Sequence, residues 1–180
     1  MKLTHVKLAF AAAAFAAFAA HAGEPAKQPV SRVDVEWRDP TQMTEYQRSR
    51  GYAAKRDAVA AVQTLAKHLD KKAEALLPEG QTLSVFLSDV DLAGEYEPWG
   101  GFRKDHVRII RNIYPPRIEL AYQLRDAQGA VLREGSAELR DPAFETGGSP
   151  SGNESLRYEK RMIDQWLRQE FASTATAKAD

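Results

Sequence analysis

Residues 115–141, PPRIELAYQLRDAQGAVLREGSAELRD, constrain the fold more than any other stretch of the chain. Ile118, Leu120, Tyr122 and Leu124 alternate with Glu119, Ala121, Gln123 and Arg125. Side chains in a strand point alternately to opposite faces, so this period of two describes a half-buried strand. Asp126 to Gly129 then provide turn residues, and Val131 to Leu139 return as the antiparallel partner. Any architecture for this chain has to be built around that hairpin.

Three further patterns complete a set of elements. Val33, Val35 and Trp37 alternate with Arg32, Asp34 and Glu36, a half-buried strand ended by Asp39-Pro40. Residues 41 to 51 are polar and ambiguous, with room for a short helical turn. From Tyr52 to Leu77 the apolar residues Ala58, Val62, Leu65, Leu69, Ala73 and Leu76 recur every three or four positions, which predicts an amphipathic helix. Pro78 and Gly80 stop it. His68 adjoins the stripe as a helix-surface residue. After the hairpin, Leu156, Ile163, Trp166, Leu167 and Phe171 mark one face of a last helix, with Ser151 and Glu154 spaced as a capping box. Lys160, Asp164 and Arg168 sit four apart on another face and suggest ion pairs within the helix. RKDHVRIIRNIY, ahead of the hairpin, has the makings of another strand. The order strand, helix, strands, helix predicts an α+β domain over residues 32–172. It has a mostly antiparallel sheet of four to five strands with two helices packed on one face.

Residues 82–97, TLSVFLSDVDLAGEYE, contain a change of face. Leu83, Val85 and Leu87 share a row with Asp89 and Asp91, while Ser84, Phe86 and Ser88 share theirs with Val90 and Leu92. A bulge near Ser88, or the end of the strand there, accounts for the switch. Two functional readings compete with it. Carboxylates two apart on a strand lie about 6–7 Å apart at the backbone, close enough to converge on one Ca²⁺, although the regular EF-hand spacing is absent. The same pair meets the separation of about 5–9.5 Å that glycoside hydrolysis needs, with Tyr96, Trp99 and Phe102 as an apolar pocket or a sugar platform. Alternatively these aromatics close the end of the sheet.

A basic run follows, with Arg103, Lys104, His106, Arg108 and Arg111, and Arg117 just beyond two prolines. Arginine clusters suit carboxylates and phosphates, but Asp105 dilutes this one, and a solvated face is the simpler reading. The two clusters also suit each other. Asp89 and Asp91 are therefore expected to pair with Arg108, Arg111 or Arg117, since half-buried carboxylates beside an apolar row need charge partners.

Where the protein works is suggested by its start. MKLTHVKLAFAAAAFAAFAAHA has Lys2 and Lys7, an apolar run from Leu8 to Ala20 and an A-x-A site at Ala20–Ala22. That is the layout of a secretory signal peptide over residues 1–22, with a core too short to span a bilayer comfortably. Residues 23–31 read as a flexible lead-in and 173–180 as a disordered tail. The chain of 180 residues has no cysteine, which excludes disulfides, thiolate chemistry and a lipid-anchoring cysteine. Its 25 basic and 25 acidic residues balance, so a nucleic-acid partner is not expected. The expected location is the periplasm of a Gram-negative bacterium.

No G-x-S-x-G, H-E-x-x-H, phosphate-loop or dinucleotide glycine motif occurs, and GGSPSG at 147–152 reads as a linker. As a set, VDVEWRDP, LPEGQTLSVFLSDVDLAGE, YPPRIELAYQLRD and LRYEKRMIDQWLRQEF resemble the exported bacterial proteins of the domain-of-unknown-function family numbered 3016, from about Val33 to Phe171. The resemblance implies a small secreted domain and brings no catalytic residue or ligand. The residues themselves favour a soluble binding domain whose partner is another envelope protein or a small ligand, with no cofactor or metal. Its candidate contacts are Asp89, Asp91, Trp99, Arg108, Arg111 and Arg117. A carboxylate hydrolase or a Ca²⁺-dependent module centred on Asp89 and Asp91 is the alternative.

Overall fold

The structure, a computed structural model, describes residues 31–97, 107–146 and 154–171. The expected signal peptide, Trp99, His106, the GGSPSG segment, Ser151 and the expected tail lie outside the described residues. Strand β1 (Val33–Trp37) is followed by a 3₁₀ turn (Pro40–Gln42), α1 (Thr44–Arg48) and α2 (Gly51–Leu76). Then come β2 (Thr82–Asp91), β3 (Arg117–Arg125), β4 (Val131–Arg140) and α3 (Arg157–Phe171).

The four strands form one sheet in the order β1-β2-β3-β4. β2–β3 and β3–β4 are antiparallel, and β1 runs parallel to β2. The connection permits the parallel pairing: a helix intervenes between β1 and β2, and parallel neighbours require such a crossover. Leu83, Val85, Leu87 and Val90 of β2 form one buried row with Ile118, Leu120, Tyr122 and Leu124 of β3. Against it pack Val62, Leu65 and Leu69 of α2 and Ile163, Trp166, Leu167 and Phe171 of α3. The α+β fold with two long helices on one face is thus the observed one.

The register shift between Leu87 and Asp89 explains the change of face in β2. Ser88 is the extra residue, so Leu87 and Val90 both reach the core while Asp89 and Asp91 turn to the other side. In the hairpin, Asp126 Oδ1 accepts the N–H groups of Gln128 (2.9 Å) and Ala130 (2.8 Å). Gly129 takes the left-handed conformation (φ +82°) that closes the turn. On β4, Gly135 lies under Tyr122, whose ring would be 3.3 Å from any added Cβ. The ring therefore lies flat across β4 and meets Trp166 edge-on at 5.4 Å and Phe171 at 5.8 Å.

Three expectations are corrected. Val107 to Tyr114 forms no strand, only an isolated bridge between Ile109 and Glu95, after which the backbone turns, Tyr114 N–H donating to the Arg111 carbonyl at 2.9 Å. Helix α3 starts at Arg157, so Glu154 precedes it and cannot sit at the third position of a capping box; it pairs with Lys160 instead. Asp164 does not pair within α3 but crosses to α2, meeting His68 at 2.8 Å and Lys72 at 3.7 Å. Among the described residues, no helix is long and apolar enough to cross a membrane.

Candidate functional site

Beyond Asp91 the chain leaves the sheet, and its backbone groups need new partners. Two glutamates from distant elements provide them. Leu92 N–H donates to Glu45 of α1 (3.0 Å) and Ala93 N–H to Glu159 of α3 (2.7 Å). On the acceptor side, Arg108 reaches the carbonyl of Gly94 at 2.8 Å, and those of Leu92 and Ala93 more loosely at 3.4 Å. Gly94 has φ +85°, and a Cβ there would sit 2.6 Å from the Ile109 carbonyl, so only glycine fits.

Glu45 and Glu159 are only 3% and 2% exposed. Burial pushes both carboxyls above their ordinary range. For Glu45 the Arg108 guanidinium, which it pairs with directly, opposes that rise; for Glu159 the Ala93 N–H opposes it.

The residues singled out from sequence sit beside this turn and are paired, partly as expected. Asp89 accepts from Thr44 N–H (2.7 Å), Thr44 Oγ1 (2.6 Å) and Arg117 (3.0 Å). It thereby caps the start of α1 from a different element. Asp91, however, pairs with Arg48 at 2.9 Å and with neither Arg108 nor Arg111; Arg48 also meets Glu95. Burial raises the Asp91 carboxyl too, against Arg48 and Arg117. Arg111 pairs with Glu97 at 3.1 Å, and Arg117 also with Glu119 at 2.8 Å. The two carboxylates are therefore held by separate cations. Among the described residues, no group of three His, Cys, Asp or Glu side chains could hold a metal ion.

Sequence reasoning missed Glu45, Arg48 and Glu159. Glu159 did carry a signal, because it lies three residues after Leu156 and four before Ile163, on the apolar stripe of α3. A charged residue in that phase is buried unless the stripe ends. Glu45 carried none, since its segment is polar throughout.

Beside the turn a cavity of about 530 Å³ opens between α2, the 92–96 segment and the start of α3. Ala54, Ala58 and Ala61 form one wall, and Leu92, Tyr96 and Glu159 contribute to the other. A smaller recess of about 350 Å³ lies around Arg48, Asp91, Tyr114, Arg117 and Arg140. The larger cavity has an apolar wall and convergent polar groups, the usual make-up of a small-molecule site.

The family model described as "Protein of unknown function (DUF3016)" matches residues 31–169. The chain belongs to that family. The DUF3016 match starts just ahead of β1 and ends within α3, so it takes in the whole sheet, both buried glutamates and the cavity. No curated protein and no solved structure matches the chain.

Proposed function

We propose that this DUF3016 chain is a non-catalytic binding domain of the bacterial envelope, exported to the periplasm by residues 1–22, and that it takes a small ligand in the cavity beside Glu159. The cavity carries this reading: at about 530 Å³ it falls within the roughly 300–1,000 Å³ of ordinary ligand pockets. Binding is favoured over the carboxylate hydrolase because Asp89 and Asp91, its would-be acid and base, are engaged by Thr44, Arg117 and Arg48. The same engagement disfavours a Ca²⁺ module at that pair.

Two measurements test the proposal. A small-molecule library screened by amide NMR should give hits that move Ala61, Leu92, Ala93 and Tyr96, and these should disappear in Ala60→Phe. Ala60 lines the cavity but is itself exposed, so the large side chain blocks the space without entering the core. Hits confined to other surfaces, or none, would refute the binding reading. The mass of the protein recovered from the periplasmic fraction should correspond to a chain starting at Gly23. An intact Met1 in the membrane fraction would refute export with cleavage.

A further inference from the structure

We propose that the cavity is built for an organic ammonium, a primary amine on an apolar body, with the ammonium seated on Glu159 and the body lying along the alanine wall of α2. This rests on the reading of the cavity as the ligand site and adds the chemical class.

The carboxylates that line the cavity are Glu45, Asp57, Glu154 and Glu159. The first three each have a cation: Arg108 for Glu45, Arg56 for Asp57 and Lys160 for Glu154. Glu159, the most buried of them, makes no ion pair among the described residues; Arg108 and Lys160, paired with Glu45 and Glu154, act on it only at longer range. It accepts the Ala93 N–H at 2.7 Å. A carboxylate has about four lone-pair sites, so acceptor capacity remains. Removed from water in this way, it is completed by a charge of the opposite sign that brings its own donors.

The surroundings narrow the ligand to a primary ammonium. An anion would need a free cation, but Arg108 is held by Glu45 and by backbone carbonyls. Arg157 makes no ion pair among the described residues, but it donates to the Tyr158 hydroxyl at 2.7 Å and lies over its ring at 4.7 Å, and hexanoate tests whether it takes an anion. A quaternary ammonium is bound by open aromatic faces. Here Tyr96 carries Arg108 on its face at 4.7 Å, and Tyr158 carries Arg157. A bare metal ion needs several oxygens, and no group of three suitable side chains exists among the described residues. An –NH₃⁺ group with three donors needs only the carboxylate and a neighbouring acceptor. Ala54, Ala58 and Ala61 offer no polar side-chain atom, so the rest of the ligand is apolar where it meets these three, although Asp57 and Thr64 of α2 also line the cavity.

Three probes of one length separate the classes: n-hexylammonium, hexanoate and 1-hexanol, each titrated into the exported protein by amide NMR. Hexylammonium should move the amides of Ala61, Leu92, Ala93 and Tyr96, and hexanoate should not. Glu159→Gln, which keeps an acceptor for Ala93, should weaken hexylammonium about ten-fold or more, the scale expected for a charged hydrogen bond. Ala60→Phe should abolish binding, and it decides the matter if Glu159→Gln does not fold. Hexanoate or hexanol moving the same amides as strongly would overturn the ammonium assignment and leave the cavity reading intact. If no probe moves them, the ammonium assignment falls; the cavity reading falls with it only if the wider library also leaves them unmoved.

Discussion

Arg108→Met gives the sharpest test of how the 92–94 turn is held. Methionine keeps much of the arginine's length and removes its charge and donors. The loss leaves Glu45, 3% exposed, without its cation, and frees the carbonyl of Gly94. Breaking one side of a buried pair typically costs about 3–5 kcal/mol. The bond to Gly94 adds about 1 kcal/mol. Against a total stability of about 5–15 kcal/mol, the variant should be marginal. Urea denaturation followed by fluorescence of the buried Trp166 measures the change. In a Glu45→Gln background the same substitution should cost only about 1–2 kcal/mol, because no buried charge is then stranded. A cost below about 1 kcal/mol in the wild type, or an equal cost in both backgrounds, would refute the argument that Arg108 neutralises a buried acid.

Three other outcomes are expected. Burial raises the Glu159 carboxyl above its ordinary value of 4.5, so its stabilising contribution is full below about pH 4.5 and is lost as pH rises through the shifted value. Thermal melts of Glu159→Gln from pH 4 to 8 should therefore gain on the wild type as pH rises, and parallel curves would contradict this. Trp166→Ala, which empties the centre of the Tyr122–Phe171 aromatic cluster, should cost about 3–5 kcal/mol in a denaturant melt; an unchanged midpoint would mean α3 does not hold the core. Asp89→Ala should destabilise more than Asp91→Ala, since Asp89 holds three groups and Arg48 keeps Glu95 when Asp91 is lost. Neither melt should respond to calcium or EGTA, and a calcium-dependent wild type would point to a metal site instead.

Periodicity by itself determined the hairpin, the long helix, the last helix and most of the residues that face inward; at the end of the long helix Leu76, placed in the stripe, is exposed and Leu77 is buried in its stead. A strand alternates and a helix repeats every three or four residues whatever it later packs against. The switch of face near Ser88 was legible as a bulge or a strand end, and because pairing to β3 continues through Asp91 the bulge is the observed one. Tertiary structure alone decided the rest. Nothing local to β1 says that it joins β2 in parallel. Asp91 was readable as needing a cation, but Arg48, more than forty positions away, became that cation because α1 lies beside the end of β2. Glu45, Arg108 and Glu159 meet at one turn although they come from three separate segments. Their partnership depends on which backbone groups are stranded where the chain leaves the sheet, and that demand exists only once the sheet has formed.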